Sequence, residues 1–462
     1  MMTPGNFLNS SFYFWWLAPI LFLFQCFWWV FLLAIVIWVP FLRIWWWFFL
    51  PIILYFPLRK IYLYWLEWDI WYKETKWIVL EIIPPKEIEK PFKAMEDVLE
   101  VLWPIYDSPN WREVWCEGAL PFGSGTWFSF EIVSLGGKIH FYARMPEGFR
   151  GTFESSFYAH YPELEIRQVP DYVKNVPLDI PNEKFDISGE DYCFINPHCY
   201  PIKTYPTFFE ERGEMVKEEK RIDPINSLLE SMAKLKEGEQ FWFQIIPVPV
   251  IDEIPWKEEG KKIAAKIARR EAEKKGSVLQ REIQKMAEPP HPILRSPGEK
   301  AVSPARTEEG GREMIITPRE RAVLSAIENK MSKIAFSTTL RGLLIFEKDK
   351  PYNKGNSKIA RTYLMHFKVT DLNTIRFWDL TRVRIQYILR NRRLYLRKRK
   401  LFRNYVQRFP PLWPEMEAGK ATPILNTEEI ATIFHFPTKI ILPTVPRIEA
   451  KPGGPPPGLP VE

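Results

Sequence analysis

The chain of 462 residues has only four cysteines and six histidines. Cys26, Cys116, Cys193 and Cys199 make no C-x-x-C pair, which excludes a disulfide-stapled scaffold and a cysteine-rich zinc module. Cys193, His198 and Cys199 are the one local group of soft ligands, and structural zinc needs a fourth, so no metal site is expected. No G-x-x-x-x-G-K-[ST] phosphate loop occurs, because Gly123 and Gly125 lack the lysine that would follow. No catalytic constellation is visible and no cofactor is implied; a non-enzymatic protein is expected. Charge is also missing locally: the first 57 residues hold one formally charged side chain, Arg43.

What that stretch has instead is aromatic and aliphatic. Phe12 to Phe56 is almost wholly apolar, and at about 1.5 Å per helical residue it exceeds one crossing of a core about 30 Å thick. Pro40 and Arg43 break it, which predicts a spanning helix from Phe12 to Val39. Phe41 to Phe56, with Trp45, Trp46 and Trp47, reads as a second crossing or as a segment in the headgroup belt. Residues 1–57 are thus expected to be a transmembrane segment of one or two helices. Residues 58–73 read either as an interfacial juxtamembrane helix or as a helix packed on the fold. Arg59, Lys60, Lys73 and Lys76 follow the apolar block and no Lys or Arg precedes it. This predicts a cell-membrane protein with its large C-terminal part cytoplasmic.

The rest reads as α+β. A strand from Lys76 to Ile83 precedes a helix with Ala94, Met95, Val98, Leu99 and Leu102 on one face. Trp127 to Ser134 and Lys138 to Met145 alternate around Leu135-Gly136-Gly137, a hairpin. A helix from Gly151 to His160 and a strand from Glu163 to Val169 complete βαββαβ, so residues 74–175 are expected to form a ferredoxin-like unit. Gly125, Phe128, Phe130 and Ile132 recur in spacing as Gly238, Phe241, Phe243 and Ile245, which predicts a second such unit over 195–410. Its elements are a strand near Pro201 to Phe209, a helix from Pro224 to Leu235 and a strand from Glu239 to Val248. A long helical insertion follows, with an arm over 256–288, a disordered linker over 288–317 and a helix from Pro318 to Met331 capped by Thr317. A strand from Lys333 to Glu347, a helix from Ser357 to Phe367 and a last strand between Val383 and Tyr395 end the unit. Residues 411–462 carry a helix from Asn426 to Phe434 and a Pro/Gly-rich tail.

Between Arg376 and Arg408 stand twelve Arg or Lys and one acid, Asp379, interleaved with Trp378, Tyr387, Tyr395, Phe402 and Tyr405. Guanidinium forks pair with phosphate and aromatic rings stack on bases. Arg390, Arg392, Arg393, Arg397, Lys398, Arg399, Lys400 and Arg403 are therefore the candidate residues for an anionic partner. Nucleic acid, membrane lipid and an acidic protein all fit that chemistry.

The runs WIVLEIIPPKEIEKPFKAMEDVLEVL (77 to 102), FSFEIVSLGGKIHFYARMP (128 to 146), YPIKTYPTFFE (200 to 210), IDPINSLLESMAKLKEGEQFWFQI (222 to 245) and TPILNTEEIATIFHFPT (422 to 438) carry a resemblance. They resemble the membrane-anchored N-terminal region of type IV secretion, conjugation-type ATPases of the FtsK-like class. In that family a Pro-rich joint such as PGGPPPGLP (452 to 460) leads into the motor domain, which is absent here, whether lost, truncated or encoded separately. The resemblance implies a membrane-anchored scaffold of a secretion or DNA-translocation system that docks a separate P-loop motor ATPase, with homo-oligomerisation possible in principle. The alternatives are a tethered nucleic-acid-binding protein using 376–408 and the non-catalytic half of a split ATPase.

Overall fold

The structure, a computed structural model, describes residues 74–85, 87–88, 91–105, 127–210, 223–250, 256–268, 317–385, 389–409 and 422–438, with isolated positions 48, 51, 54, 55, 58 and 62. The chain divides into two compact units, Met1–Lys76 with Ser108–Gly125, and Trp77–Asp107 with Thr126–Glu462.

In the first unit Phe48, Tyr55, Leu58 and Tyr62 are helical with exposed side chains. Among the described residues no helix is long and apolar enough to cross a membrane. This corrects the expected transmembrane segment 1–57 and the cell-membrane localisation drawn from it. A crossing needs about 20 consecutive, mostly apolar helical residues, and no described helix supplies them. Apart from these positions, 1–57 and the expected interfacial helix 58–73 lie outside the described residues.

The second unit is built on one antiparallel sheet. Its strands are β1 (Trp77–Ile83), β2 (Ser129–Leu135), β3 (Lys138–Pro146), β4 (Glu165–Val169), β5 (Phe185–Phe194), β6 (Glu239–Pro249), β7 (Ala335–Glu347), β8 (Ile375–Phe377) and β9 (Ile424–Asn426). They run in the order β4-β1-β3-β2-β6-β7-β5-β8, with β9 also paired to β7. The β2–β3 hairpin turns on Gly136 and Gly137, both at positive φ (58° and 90°), as a two-residue turn matched to strand twist requires.

Helices cover this sheet: α1 (Pro91–Leu102), α2 (Arg150–His160), α3 (Tyr205–Glu210), α4 (Pro224–Ala233), α5 (Trp256–Ile267), α6 (Pro318–Ser332), α7 (Ile359–Leu364), α8 (Arg390–Val406) and α9 (Thr427–Ile433). Residues that alternate along the strands go to opposite faces. Phe130, Ile132, Phe241, Phe243, Leu340 and Leu344 join α1, α2, α4, α7 and α9 in the larger core. Val133, Trp242, Leu343 and Ile345 point the other way, onto Tyr172, Val173, Leu401, Phe402 and Tyr405. The sheet is thus the middle of three layers.

This corrects the two ferredoxin-like units. Counted from either outer edge the strand order is the same, but the inner edge strands do not end two separate sheets. They pair, with Phe130 opposite Ile245 and Ile132 opposite Phe243, and make one large sheet. Two four-stranded plaits would each expose an open inner edge of unpaired N–H and C=O groups; the β2–β6 pairing removes both.

Two local expectations also change. The first strand of the second half is β5, not 201–209, where α3 lies. The strand expected between Val383 and Tyr395 is replaced by the short β8 and by α8. Of the arm 256–288, α5 covers Trp256–Ile267, where Ala264 packs with Ile327 of α6 and with Cys199, and 269–288 lies outside the described residues. The linker 288–317 lies outside the described residues except Thr317, which caps α6 in a reciprocal box with Glu320.

Candidate anion-binding face

The basic stretch folds as α8, RNRRLYLRKRKLFRNYV. Arg, Lys and Leu are good helix formers, and no β-branched residue appears before Val406. Leu401, Phe402 and Tyr405 are buried against the second face of the sheet. Close approach is possible because β5 carries Gly189 beneath the helix. A Cβ there would lie 2.5 Å from the Gly342 carbonyl oxygen and 3.1 Å from Leu401.

The C-terminal end of α8 is fastened by a buried polar network at the centre of the sheet. Glu131 and Gln244 are register partners of β2 and β6. Glu131 accepts hydrogen bonds from Ser129 Oγ, Tyr172 Oη, Gln244 Nε2 and the Arg408 guanidinium. Arg408 also donates twice to Asp171, at 2.7 and 2.9 Å. Arg341 of β7 donates to Asp191 at 2.6 Å and to the Phe409 carbonyl at 2.9 Å. Tyr172 gives its proton to Glu131, so the Tyr405 hydroxyl 2.7 Å away is the donor in that pair. Burial pushes both phenols well above their ordinary pKa.

The candidate side chains divide by direction. Arg392, Leu396, Arg399 and Arg403, at steps of four, three and four, form an exposed stripe, with Arg390 and Tyr395 also exposed. At 1.5 Å per residue the arginines of the stripe span about 16 Å. Among the described residues Arg390, Arg392 and Arg403 have no carboxylate partner, and Arg399 Nη1 reaches only the Tyr395 hydroxyl, at 3.4 Å.

Others are tied to the fold. Lys398 Nζ bonds both oxygens of Asp186, at 2.6 and 2.7 Å. Arg397 Nη1 donates to the carbonyls of Asp379, Arg382 and Arg384 and so holds that loop against the helix. Burial, with the Arg393 charge, lowers Arg397 to about 10. Burial and the neighbouring Arg403 bring Lys400 down to about 8. Arg393 is half-buried. The structure therefore offers four of the eight candidates, Arg390, Arg392, Arg399 and Arg403, on the solvent side. Arg361 of α7, missed by sequence because it precedes the basic run, is brought beside Arg376 and Arg382.

Among the described residues no group of three or more His, Cys, Asp or Glu is placed to hold a metal ion. Cys199 is buried, and its thiol is pushed up to about 11 by burial and by Glu259. His198 accepts the Ile424 N–H through Nδ1 at 3.2 Å, and burial, with the Lys330 charge, lowers it to about 4. That is a neutral imidazole fixing β9.

No curated protein matches the chain significantly. A family model does, over residues 72–439, a stretch that takes in every strand of the sheet and all of α8. The chain belongs to that family, described as Domain of unknown function (DUF8128).

Proposed function

We propose that the chain is a non-enzymatic scaffold that binds the phosphate backbone of nucleic acid through the outer stripe of α8. The observation that carries this is the row Arg392, Arg399 and Arg403, exposed, on a rigid helix and without carboxylate partners among the described residues. A polyanion neutralised by such a row releases its counterions, which is the main source of sequence-independent affinity. An anionic lipid surface is a poorer fit. An interfacial helix must insert a broad apolar face, and Leu401, Phe402 and Tyr405 of α8 are already buried on the sheet, which leaves only Tyr395 and Leu396 exposed among its arginines. Module and motor on separate chains, as the resemblance to conjugation-type ATPases implies, would suit a DNA-handling apparatus driven by a P-loop ATPase.

The test is fluorescence anisotropy of labelled 20-nucleotide single and double strands with the purified chain across a salt series. Changing Arg392, Arg399 and Arg403 to Ala should make the slope of log K against log salt shallower by about 2 to 3, from 0.7–0.9 per phosphate contact. Absence of wild-type binding at about 50 mM salt would sink the proposal. So would identical slopes for wild type and variant.

A further inference from the structure

At the outer edge of the sheet, on residues other than the stripe of α8, three guanidinium groups converge on one phenyl ring. Arg361 lies 4.1 Å from the centroid of Phe377, Arg382 4.5 Å and Arg376 5.2 Å. They come from three places in the chain: α7, the edge strand β8, and the loop that follows it. That loop is held by Arg397, through the carbonyls of Asp379, Arg382 and Arg384. The convergence is therefore built by the fold.

Two carboxylates stand among the three cations, and neither serves Arg382 well. Glu190 is already engaged: its oxygens accept Nε and Nη2 of Arg361 at 2.6 to 3.0 Å and the Tyr192 hydroxyl at 3.2 Å. Arg382 comes no nearer to it than 3.8 Å, beyond hydrogen-bond reach. Asp379 is taken by Arg376 Nη2 at 2.6 Å. Arg382 keeps only a quarter of its side chain exposed, yet among the described residues no acceptor receives a hydrogen bond from its guanidinium. None of its nitrogens is sealed from solvent without a partner, so the fork's donors are open to oxygens supplied from outside. Burial and the Arg361 charge both act to lower the Arg382 pKa, the direction expected where like charges crowd. Arg384, exposed on the same loop, adds a further positive charge.

We infer that Arg361, Arg376 and Arg382 around Phe377 form a phosphate-binding site at the free edge of the sheet. Its ligand is a tetrahedral phosphate group with accessible oxygens, which guanidinium forks can bind through paired hydrogen bonds. The ring of Phe377 keeps the three forks splayed by cation–π contact, so a phosphate replaces water at Arg382 and shares Arg361 and Arg376 with Glu190 and Asp379. The site does not depend on α8 binding nucleic acid.

The probe is inorganic pyrophosphate, titrated into the full chain by isothermal calorimetry at low ionic strength, with chloride at matched ionic strength as control. We expect saturable one-site binding that weakens at least ten-fold in Arg382→Gln and less in Arg382→Lys, which keeps the charge and loses the fork. Arg376→Gln, at an exposed position, should weaken it as well and serves if Arg382→Gln does not fold. Competition by a short oligonucleotide with and without a 5′-phosphate separates the sources. Stronger competition by the phosphorylated strand assigns a terminal phosphate, equal competition a backbone phosphodiester, and no competition a free phosphate. No heat beyond the chloride control, or unchanged pyrophosphate affinity in the folded variants, would overturn the inference.

Discussion

Replacing Arg408 by Met tests the buried network that holds α8 to the sheet. Arg408 is 1% exposed and Glu131 is fully buried, so their attraction is little screened by water. Methionine fills most of the space of the arginine stem but removes its hydrogen bonds to Glu131, Asp171 and the Val406 carbonyl. Glu131 would keep Ser129, Tyr172 and Gln244 as donors and lose the Arg408 guanidinium. Removing one partner of a buried ion pair costs about 3–5 kcal/mol, chiefly because the other charge is left uncompensated. We expect a loss in that range, read as a fall in the urea midpoint at constant slope. The double variant Glu131→Gln with Arg408→Met removes both charges and should lose clearly less than the sum of the singles. A cost below about 1 kcal/mol for Arg408→Met, or strict additivity in the cycle, would refute the view that the network is one coupled unit.

Gly189→Ala places a Cβ 2.5 Å from the Gly342 carbonyl oxygen, a backbone atom that cannot move alone; a loss of about 2 kcal/mol is expected, seen as a lower thermal midpoint. Asp223 caps α4 and faces His435 at 2.8 Å. Burial works to raise its pKa, but the charge and hydrogen bond of His435 and the N–H groups of Ile225 and Thr438 outweigh it and hold the carboxyl below 3.8. A depressed folded pKa means stability that is present above the unfolded value and lost as pH falls through the folded one. Asp223→Asn should therefore be less stable than wild type at pH 6 by about 1–3 kcal/mol, with the gap closing in denaturation curves taken progressively below pH 3.8. A gap that stays constant down to pH 2 would show that the Asp223 charge contributes nothing.

Elements whose side chains repeat at a clear period were legible: the apolar face of α1, the Gly136-Gly137 hairpin, the Thr317 cap. β5 was not, because FDISGEDYCF carries four charged or small polar residues that look like a loop. Each acid has a partner far away in sequence, Asp186 with Lys398, Glu190 with Arg361 and Asp191 with Arg341. Such pairs become visible only once β7, α7 and α8 are placed beside the strand. The β2–β6 junction was hidden for a different reason. Phe128, Phe130, Phe241 and Phe243 announced two similar strands, but nothing local distinguishes an edge that ends a sheet from one that pairs with its own counterpart. For the site, the density of charge was plain. The direction of each arginine was not, since it depends on which face Leu401, Phe402 and Tyr405 bury.

That direction bears on how the helix could act. The last carbonyls of a helix lack internal partners, and in α8 they are met by the network itself. Gln244 Nε2 donates to the Tyr405 carbonyl at 3.3 Å, and Arg408 to that of Val406 at 2.8 Å. Just beyond the helix, Arg341 meets Phe409. Further up, Lys398 and Arg397 fix the middle turns to Asp186 and to the loop after β8. The chain enters from Leu389 in the left-handed conformation, φ 52°, with Arg390 and Arg392 exposed on the first turn. A flexible basic tail must lose backbone entropy when it lies along a polyanion, at about 1–2 kcal/mol per residue ordered. In α8 the sheet has already ordered that backbone, so only the side chains of the stripe remain to be fixed on binding. The inward basic residues thus hold Arg392, Arg399 and Arg403 at fixed spacing, which, under the proposed function, would lower the cost of engaging several phosphates at once.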